Sequence, residues 1–123
     1  MSRIVYKELS YEIVGLAMEV YNELGYGFLE KVYENALVIA LKGAGLNADQ
    51  QRRIDVFFRQ RQVGEYVADI VVDQKIILEL KSVAAIGQAH RAQMLNYLKA
   101  TNLKLGIIVN FSKKKLEYER ILR

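Results

Sequence analysis

Residues 67–83 read VADIVVDQKIILELKSV, and this stretch decides the fold of the chain. Two apolar runs of β-forming residues, separated by the polar tripeptide DQK, predict a hairpin in the interior of a sheet. Asp69 interrupts the first run, and Glu79 and Lys81 interrupt the second. Because burying a carboxylate without a partner is costly, these charges require neighbours that neutralise them.

The geometry of the hairpin depends on the length of its turn. Since side chains alternate between faces, Glu79 and Lys81 share one face of their strand. If residues 73–75 form a three-residue loop, Asp69 lies opposite Glu79, with Cβ atoms about 5 Å apart. A two-residue turn would instead place Asp69 opposite Leu78 and separate the two acids.

An acid, a second acid and a lysine on one face allow two interpretations. Two facing carboxylates repel unless one holds a proton or a cation lies between them. Mg²⁺ prefers oxygen ligands, and an ammonium beside it neutralises a phosphate oxygen or orients water, which are the requirements of phosphodiester hydrolysis. The alternative is structural: a cross-strand salt bridge from Lys81 to Asp69 or Glu79.

The remaining pattern predicts an α/β sandwich. Three strands in succession, followed by a helix and a further strand, imply a mixed sheet of about four strands: a three-strand meander, a helical crossover and a fourth strand, flanked by helices. Residues 116–123 fit either an edge strand or a short helix. We expect a single domain over residues 1–123. Its predicted helices lie at 10–24 (N-cap Ser10), from near Leu29 to Gly43 or Gly45, and at 87–101. Its predicted strands lie at 53–60, 65–72, 75–83 and 103–111, with a turn at 61–64.

Composition narrows the classes of function. The chain has 123 residues, no cysteine and a formal charge of +4, so disulfides and thiolate metal sites are excluded. No apolar run reaches the roughly 18 residues of a membrane span, and no secretory signal is evident, so we expect a cytoplasmic protein without a membrane partner. Clustered cations at residues 52–61 and 113–115 suit nucleic acid, or simply a solvated surface.

Three motifs in order carry a resemblance to a known family. The chain resembles the small bacterial GxxExxY proteins of the PD-(D/E)XK nuclease superfamily, which has a restriction-endonuclease-like fold. The resemblance spans nearly the whole chain and includes an element similar to that of RecB-like nucleases. The matching residues are Gly27-x-x-Glu30-x-x-Tyr33, then Asp69 with Glu79-Leu80-Lys81, then Gln93-x-x-x-Tyr97. Ala68 replaces the proline of the superfamily name, at a structural position.

The resemblance implies a role for each matching residue. Asp69, Glu79 and Lys81 would form the catalytic core, and Asp69, Glu79 and Glu30 would hold the metal ion. The residues implied to contact substrate are Gln93, Tyr97 and Tyr33.

Each helical residue among these also has a structural interpretation. Glu30 would be favoured by the helix dipole in any first turn, and Tyr33 would serve equally as a core residue with a satisfied hydroxyl. The lone histidine, His90, fits a surface position or a satisfied structural role better than a catalytic one.

Three functions remain open at this point. The resemblance implies a Mg²⁺-dependent nuclease that accepts Mn²⁺ as a substitute and acts on DNA in preference to RNA. Because 123 residues enclose little of a duplex, a homodimer would extend the nucleic-acid surface. The second is a catalytically silent nucleic-acid-binding or assembly module with the same fold. The third is a salt-bridged structural domain, which predicts that Glu30 points away from Asp69 and Glu79.

Overall fold

A computed structural model describes residues 4–123, and three helices and five strands follow one another in it. None of these helices is long and apolar enough to cross a membrane. The elements are α1 (Lys7–Leu24), α2 (Glu30–Gly43), β1 (Ala48–Phe58), β2 (Arg61–Val72), β3 (Ile76–Lys81), α3 (Gln88–Thr101), β4 (Leu105–Phe111) and β5 (Leu116–Leu122).

The five strands form one mixed sheet in the order β1-β2-β3-β4-β5. Strands β1 to β3 are an antiparallel meander, α3 crosses over to β4, and β4 runs parallel to β3. The predicted α/β class and its connections are therefore confirmed. The predicted number of strands is too low by one, because Leu116–Leu122 pairs antiparallel with β4 as an edge strand.

Helices cover both faces of the sheet. Because side chains alternate along a strand, neighbouring residues of β2 and β3 enter two separate cores. On one face α1 and α2 pack on the sheet, in a core that includes Ile13, Ala17, Leu37, Leu41, Ile70, Val72, Leu78 and Ile107. On the other face α3 packs on the sheet, in a core that includes Met94, Tyr97, Leu98, Val71, Ile77 and Ile108.

Two predicted boundaries are wrong. Ser10 is not the N-cap of α1 but lies buried inside the helix, which begins at Lys7. The predicted turn at residues 61–64 is instead part of β2. The chain reverses at Arg59 and Gln60, which both adopt left-handed backbone angles, as a two-residue hairpin turn requires. Neither residue is glycine or asparagine, so the turn has none of the usual sequence signals.

The buried face of α2 also differs from the predicted one. Helical spacing of apolar residues predicts Val32, Ala36, Leu37, Ile39 and Ala40 on the buried side of this helix, yet Ile39 is 74% exposed and Val32 is exposed. The helix instead buries Tyr33 and Glu34. Polar groups of these two side chains are satisfied by specific partners, which an apolar periodicity does not report.

Gly106 allows α3 to pack closely against β4. A Cβ atom at this position would overlap the buried Met94 side chain, with Cγ at 2.6 Å. We expect Gly106→Ala to lower the free energy of unfolding by about 1–3 kcal/mol, because overpacking a filled core forces side chains off their rotamers. Chemical denaturation measures this change.

Two further variants test the cause of that destabilisation. In a Met94→Ala background, the added methyl of Gly106→Ala should cost well under about 1 kcal/mol, since the overlapping atoms are gone. Gly15→Ala is the matched control: Gly15 is an exposed helix residue with nothing within 4 Å of the added Cβ. It should stabilise the protein by about 0.5–1 kcal/mol. Equal effects of Gly106→Ala in both backgrounds would contradict the packing argument.

Candidate active site

The β2–β3 hairpin has the register that brings the two acids together. Residues 73–75 form the turn, which the Lys75 amide closes by donating to the Val72 carbonyl at 2.9 Å. The ladder pairs Val72 with Ile76 and continues to Ile70 and Leu78. The predicted three-residue loop is confirmed, and the next position in this register sets Asp69 against Glu79.

Asp69 and Glu79 form a buried carboxyl pair. Glu79 is only 5% exposed, and Asp69 is partly buried beside it. One Asp69 oxygen, Oδ2, accepts a hydrogen bond from the Leu80 amide at 2.8 Å. Burial, together with a hydrogen bond to Asp69 and the charge of Asp69, raises the pKa of Glu79 to about 9. At neutral pH Glu79 therefore holds a proton, which it donates to the Asp69 carboxylate.

Lys81 lies near this pair without being bound to it. Its positive charge acts to lower the pKa of Glu79, but less strongly than burial and Asp69 raise it. Within residues 4–123, no ion pair joins Lys81 to any carboxylate. The alternative of a cross-strand salt bridge is therefore wrong for this structure, in which Lys81 is a partly exposed residue.

Helix α3 places Tyr97 over the same face of the sheet. Burial and the nearby Glu79 and Asp69 raise the pKa of Tyr97 to about 12, so its phenol stays protonated at neutral pH and can donate a hydrogen bond. Its ring lies 5.7 Å from that of Tyr66 on β2. Gln93 lies one turn earlier on the same side of α3 and is partly exposed.

Glu30 approaches from the opposite face, around the end of β3. Its Oε2 accepts a hydrogen bond from the Ser82 amide at 2.9 Å. Ser82 directly follows Lys81, so the first turn of α2 is attached to the strand end that carries the lysine. Within the described chain, no group of three or more acidic, histidine or cysteine side chains is arranged to hold a metal ion. Glu30 is thus near the end of β3 rather than grouped with Asp69 and Glu79.

Tyr33 is a core residue and is not placed to contact substrate. It is fully buried, and its ring stacks on Phe111 at a centroid distance of 4.2 Å. Its hydroxyl donates to the Gly25 carbonyl at 2.5 Å and accepts from the Phe28 amide at 3.2 Å. Both hydrogen bonds tie the loop before Glu30 to the core, so the implied substrate contact of Tyr33 is corrected to a structural role.

Comparison with known proteins shows the family and the fold of the chain. The family model of the PD-(D/E)XK nuclease superfamily matches residues 7–121. The chain belongs to the PD-(D/E)XK nuclease superfamily. The crystal structure of the protein SSO0001 has the same fold: the TM-score is 0.61 at 19% identity, over 96% of this chain and 57% of that one. The chain thus spans little more than half the length of SSO0001.

A second solved structure is more distant. It is an alkaline exonuclease (LHK-Exo) from Laribacter hongkongensis, with a TM-score of 0.46 and 11% identity, over 100% of this chain and 72% of that one. A search of curated protein sequences finds no significant match.

PD-(D/E)XK nucleases generally use divalent metal ions, and the carboxyl pair fits such an ion. Two buried acids side by side offer the oxygen ligands that such an ion prefers. If both acids were ionised, their carboxylates would repel each other, and a bound cation would offset that repulsion. Asp69 and Glu79 are the residues that would hold it.

Asn110 belongs to the site, although the sequence analysis did not identify it. It is fully buried on β4, in register with Lys81. Its amide accepts from the Val83 amide and donates to the Val83 carbonyl, both at 2.9 Å. These bonds hold the chain that leaves β3 against β4, and they restrict the position of Lys81. A single polar residue in the apolar run LGIIVNF was the available signal.

Glu34 anchors α2 to the sheet beside Asp69. Burial raises the pKa of Glu34, but hydrogen bonds from Lys31, Gln50 and Gln51 outweigh this, and the net pKa lies below its usual value. Gln51 has a left-handed backbone and lies between Gln50 and Arg52, at the β1 position facing Asp69. The ionised Glu34 therefore fixes the helix from which Glu30 projects.

His90 has a capping role. Its Nδ1 accepts a hydrogen bond from the Gly87 amide at 3.1 Å, which satisfies a free amide at the start of α3. The expectation of a structural histidine is confirmed.

Proposed function

We propose that this chain is a Mg²⁺-dependent nuclease that hydrolyses phosphodiester bonds, acts on DNA in preference to RNA, and accepts Mn²⁺ as a substitute. The observation that carries the proposal is the buried Asp69–Glu79 pair, in which burial and Asp69 raise the pKa of Glu79 to about 9, while Lys81 makes no ion pair within residues 4–123. A purely structural cluster would pair the lysine with an acid. Membership of the nuclease superfamily supports the same reaction.

Asp69 and Glu79 would hold the divalent cation, which supplies charge stabilisation at a phosphate oxygen. The Leu80 amide, bonded to Asp69 Oδ2, keeps one oxygen of that acid in a fixed orientation. Glu79 must release its proton for both carboxylates to act as ligands. Cation binding is therefore expected to strengthen as the pH rises toward 9, by up to tenfold per pH unit.

Lys81 would act on the reacting atoms directly. Its ammonium is partly exposed and lies next to the carboxyl pair, where it would neutralise a phosphate oxygen and orient water for attack. In the reaction water adds to phosphorus, one bridging P–O bond breaks, and the departing oxygen takes a proton. No oxidant or further cofactor is required.

Gln93 and Tyr97 would position the substrate from α3. The protonated phenol of Tyr97 donates a hydrogen bond, and the neighbouring ring of Tyr66, which is 49% exposed, offers an aromatic surface to a base or sugar. Glu30 would contribute through Ser82, or through water to the cation. A cytoplasmic location, and a homodimer that lengthens the nucleic-acid surface, complete the proposal.

The test is cleavage of labelled DNA and RNA by wild type and by Asp69→Asn, with Mg²⁺, Mn²⁺ or EDTA. Wild type should cut DNA only when a cation is present, and Asp69→Asn should lose Mn²⁺ binding in calorimetry as well as cleavage. Asp49→Asn is the matched control, because Asp49 lies on β1 and pairs with Arg52 at 3.0 Å. It should behave as wild type. DNA binding without cleavage under any of these ions would favour the silent binding module instead.

A further inference from the structure

A groove lies beyond the ends of β3 and β4 and is separate from the carboxyl pair. It has a volume of about 440 Å³ and is lined by the loops that follow the two strands and by Tyr26 from the α1–α2 loop. β3 and β4 are parallel, so both end at the same edge of the sheet. In open α/β sheets, ligands bind outside the carboxyl ends of the strands.

The groove adjoins the end of β3 that carries Lys81. Ser82 lines it, directly follows Lys81, and is the residue whose amide binds Glu30. Val83, the next lining residue, is held by Asn110 through two hydrogen bonds. Ser82 and Val83 therefore join the lining of the groove to the strand end that carries Lys81.

The walls of the groove are fixed by buried hydrogen bonds. The hydroxyl of Tyr21 donates to the Ser112 carbonyl at 2.6 Å, and the hydroxyl of Ser112 donates to the Lys115 carbonyl at 2.5 Å. These bonds hold the loop between β4 and β5, so the three exposed lysines on it, Lys113, Lys114 and Lys115, are presented from a preformed support.

The charge of the groove is positive. Glu117 is the acidic residue in its lining, and Oε1 of Glu117 accepts a hydrogen bond from Asn110 at 3.1 Å. The lining therefore carries three ammonium groups and one carboxylate, and this net positive charge favours binding of a polyanion. Tyr26, on the opposite side, is 52% exposed and presents a ring on which a base can stack.

From these features we propose that the groove holds a single-stranded segment of nucleic acid on one side of the cleaved phosphate, with Tyr26 stacked on a base and Lys113–Lys115 on phosphates. The commitment to a single strand follows from Tyr26, because only an unpaired base offers its face to a side chain. This inference rests on the proposed nuclease function and adds a substrate class to it: strands with single-stranded extensions.

The test measures binding in EDTA, so that it does not depend on cleavage. Fluorescent 12-nucleotide single strands of DNA and of RNA, and a blunt duplex, are titrated with protein at several salt concentrations. Removing the three groove lysines (Lys113→Ala with Lys114→Ala and Lys115→Ala) should reduce the salt slope of single-strand binding by about 2, because each phosphate contact contributes about 0.7. Tyr26→Ala should weaken binding roughly tenfold and leave the slope unchanged.

Matched controls carry the same changes elsewhere. Lys42→Ala, Lys75→Ala and Lys104→Ala together remove three exposed lysines, two of which directly precede β3 and β4 at the opposite sheet edge. Tyr11→Ala removes an aromatic ring that is also exposed. Both controls should bind single strands as wild type does.

The outcomes separate the groove from the nuclease proposal. Equal salt slopes for the two triple variants, or equal losses of affinity for blunt duplex and single strand, would contradict the proposal that the groove binds a single strand. If wild type cleaves and the groove variants bind single strands as wild type does, the groove proposal is refuted and the nuclease proposal stands. Selective loss of binding by those variants, with no cleavage by wild type under any cation, would support the groove and refute the nuclease proposal.

Discussion

Replacing Lys81 with alanine is expected to lower the rate of DNA cleavage by about 10²–10³-fold, while cation binding and the fold are retained. Lys81 is partly exposed and makes no ion pair within the described chain, so its loss leaves no buried acid without a partner. The two carboxyl groups that would hold the cation are both still present. Single-turnover cleavage, calorimetry with Mn²⁺ and thermal unfolding measure the three quantities separately.

Lys104→Ala is the control for this variant. Lys104 is an exposed lysine that precedes β4, whereas Lys81 ends the neighbouring parallel strand. The two variants remove the same charge from opposite edges of the sheet, so a general effect of net charge would be common to both. Cleavage by Lys81→Ala at the wild-type rate would refute the role of the ammonium. Loss of Mn²⁺ binding together with cleavage would show instead that Lys81 acts by supporting the acids.

Replacing Glu79 with glutamine is expected to stabilise the metal-free protein, and to do so increasingly as the pH rises. The pKa of Glu79 is about 9 in the folded protein, against an ordinary value of 4.5. Between these values the folded protein holds a proton that the unfolded chain has released. The free energy of unfolding therefore falls as the pH rises from about 4.5 to 9, by up to about 1.4 kcal/mol per unit.

Glutamine resembles the protonated acid in shape and donates a hydrogen bond to Asp69 without titrating. Wild type and Glu79→Gln should therefore be of similar stability near pH 4.5. At pH 8 the variant should be more stable by an amount on the order of a few kcal/mol. Urea unfolding in EDTA from pH 5 to 9 measures the difference.

Glu65→Gln is the control, because Glu65 lies exposed on β2 and pairs with Arg53 at the surface. Its stability curve should run parallel to that of wild type. If the curve of Glu79→Gln also runs parallel to wild type, Glu79 does not hold a proton in the folded state. Adding Mg²⁺ should reduce the pH dependence of wild type, since the cation replaces the proton between the acids.

The parts of the site that depend on strand periodicity could be predicted from the sequence. Alternation places Glu79 and Lys81 on one face, and the length of the DQK turn sets Asp69 against Glu79. These relations extend over a few residues and are determined by local backbone geometry, so they do not require knowledge of distant segments. The helical crossover followed from the order of the elements for the same reason.

The position of each helical side chain depended on contacts far along the chain. Tyr33 and Glu30 lie three residues apart in one motif, yet Tyr33 enters the core against Phe111 while Glu30 binds the Ser82 amide. The sequence could not distinguish a buried tyrosine from one that contacts substrate, since a tyrosine in the first turn of a helix can have either role. Only the packing of α2 against the sheet, with Glu34 anchored by two glutamines, separates these roles.

The charge state of the hairpin was also decided by the tertiary structure. The sequence alone determined that residues 67–83 form a hairpin with Glu79 and Lys81 on one face, because side-chain alternation is a local property. It allowed two turn lengths, and the structure has the three-residue turn that sets Asp69 against Glu79. Whether those charges form a salt bridge or share a proton depends on burial under α3 and on where the lysine lies. The fold buries Glu79 and leaves Lys81 without an ion pair among residues 4–123, and desolvation, which acts only after the layers pack, raises the pKa of the acid to about 9.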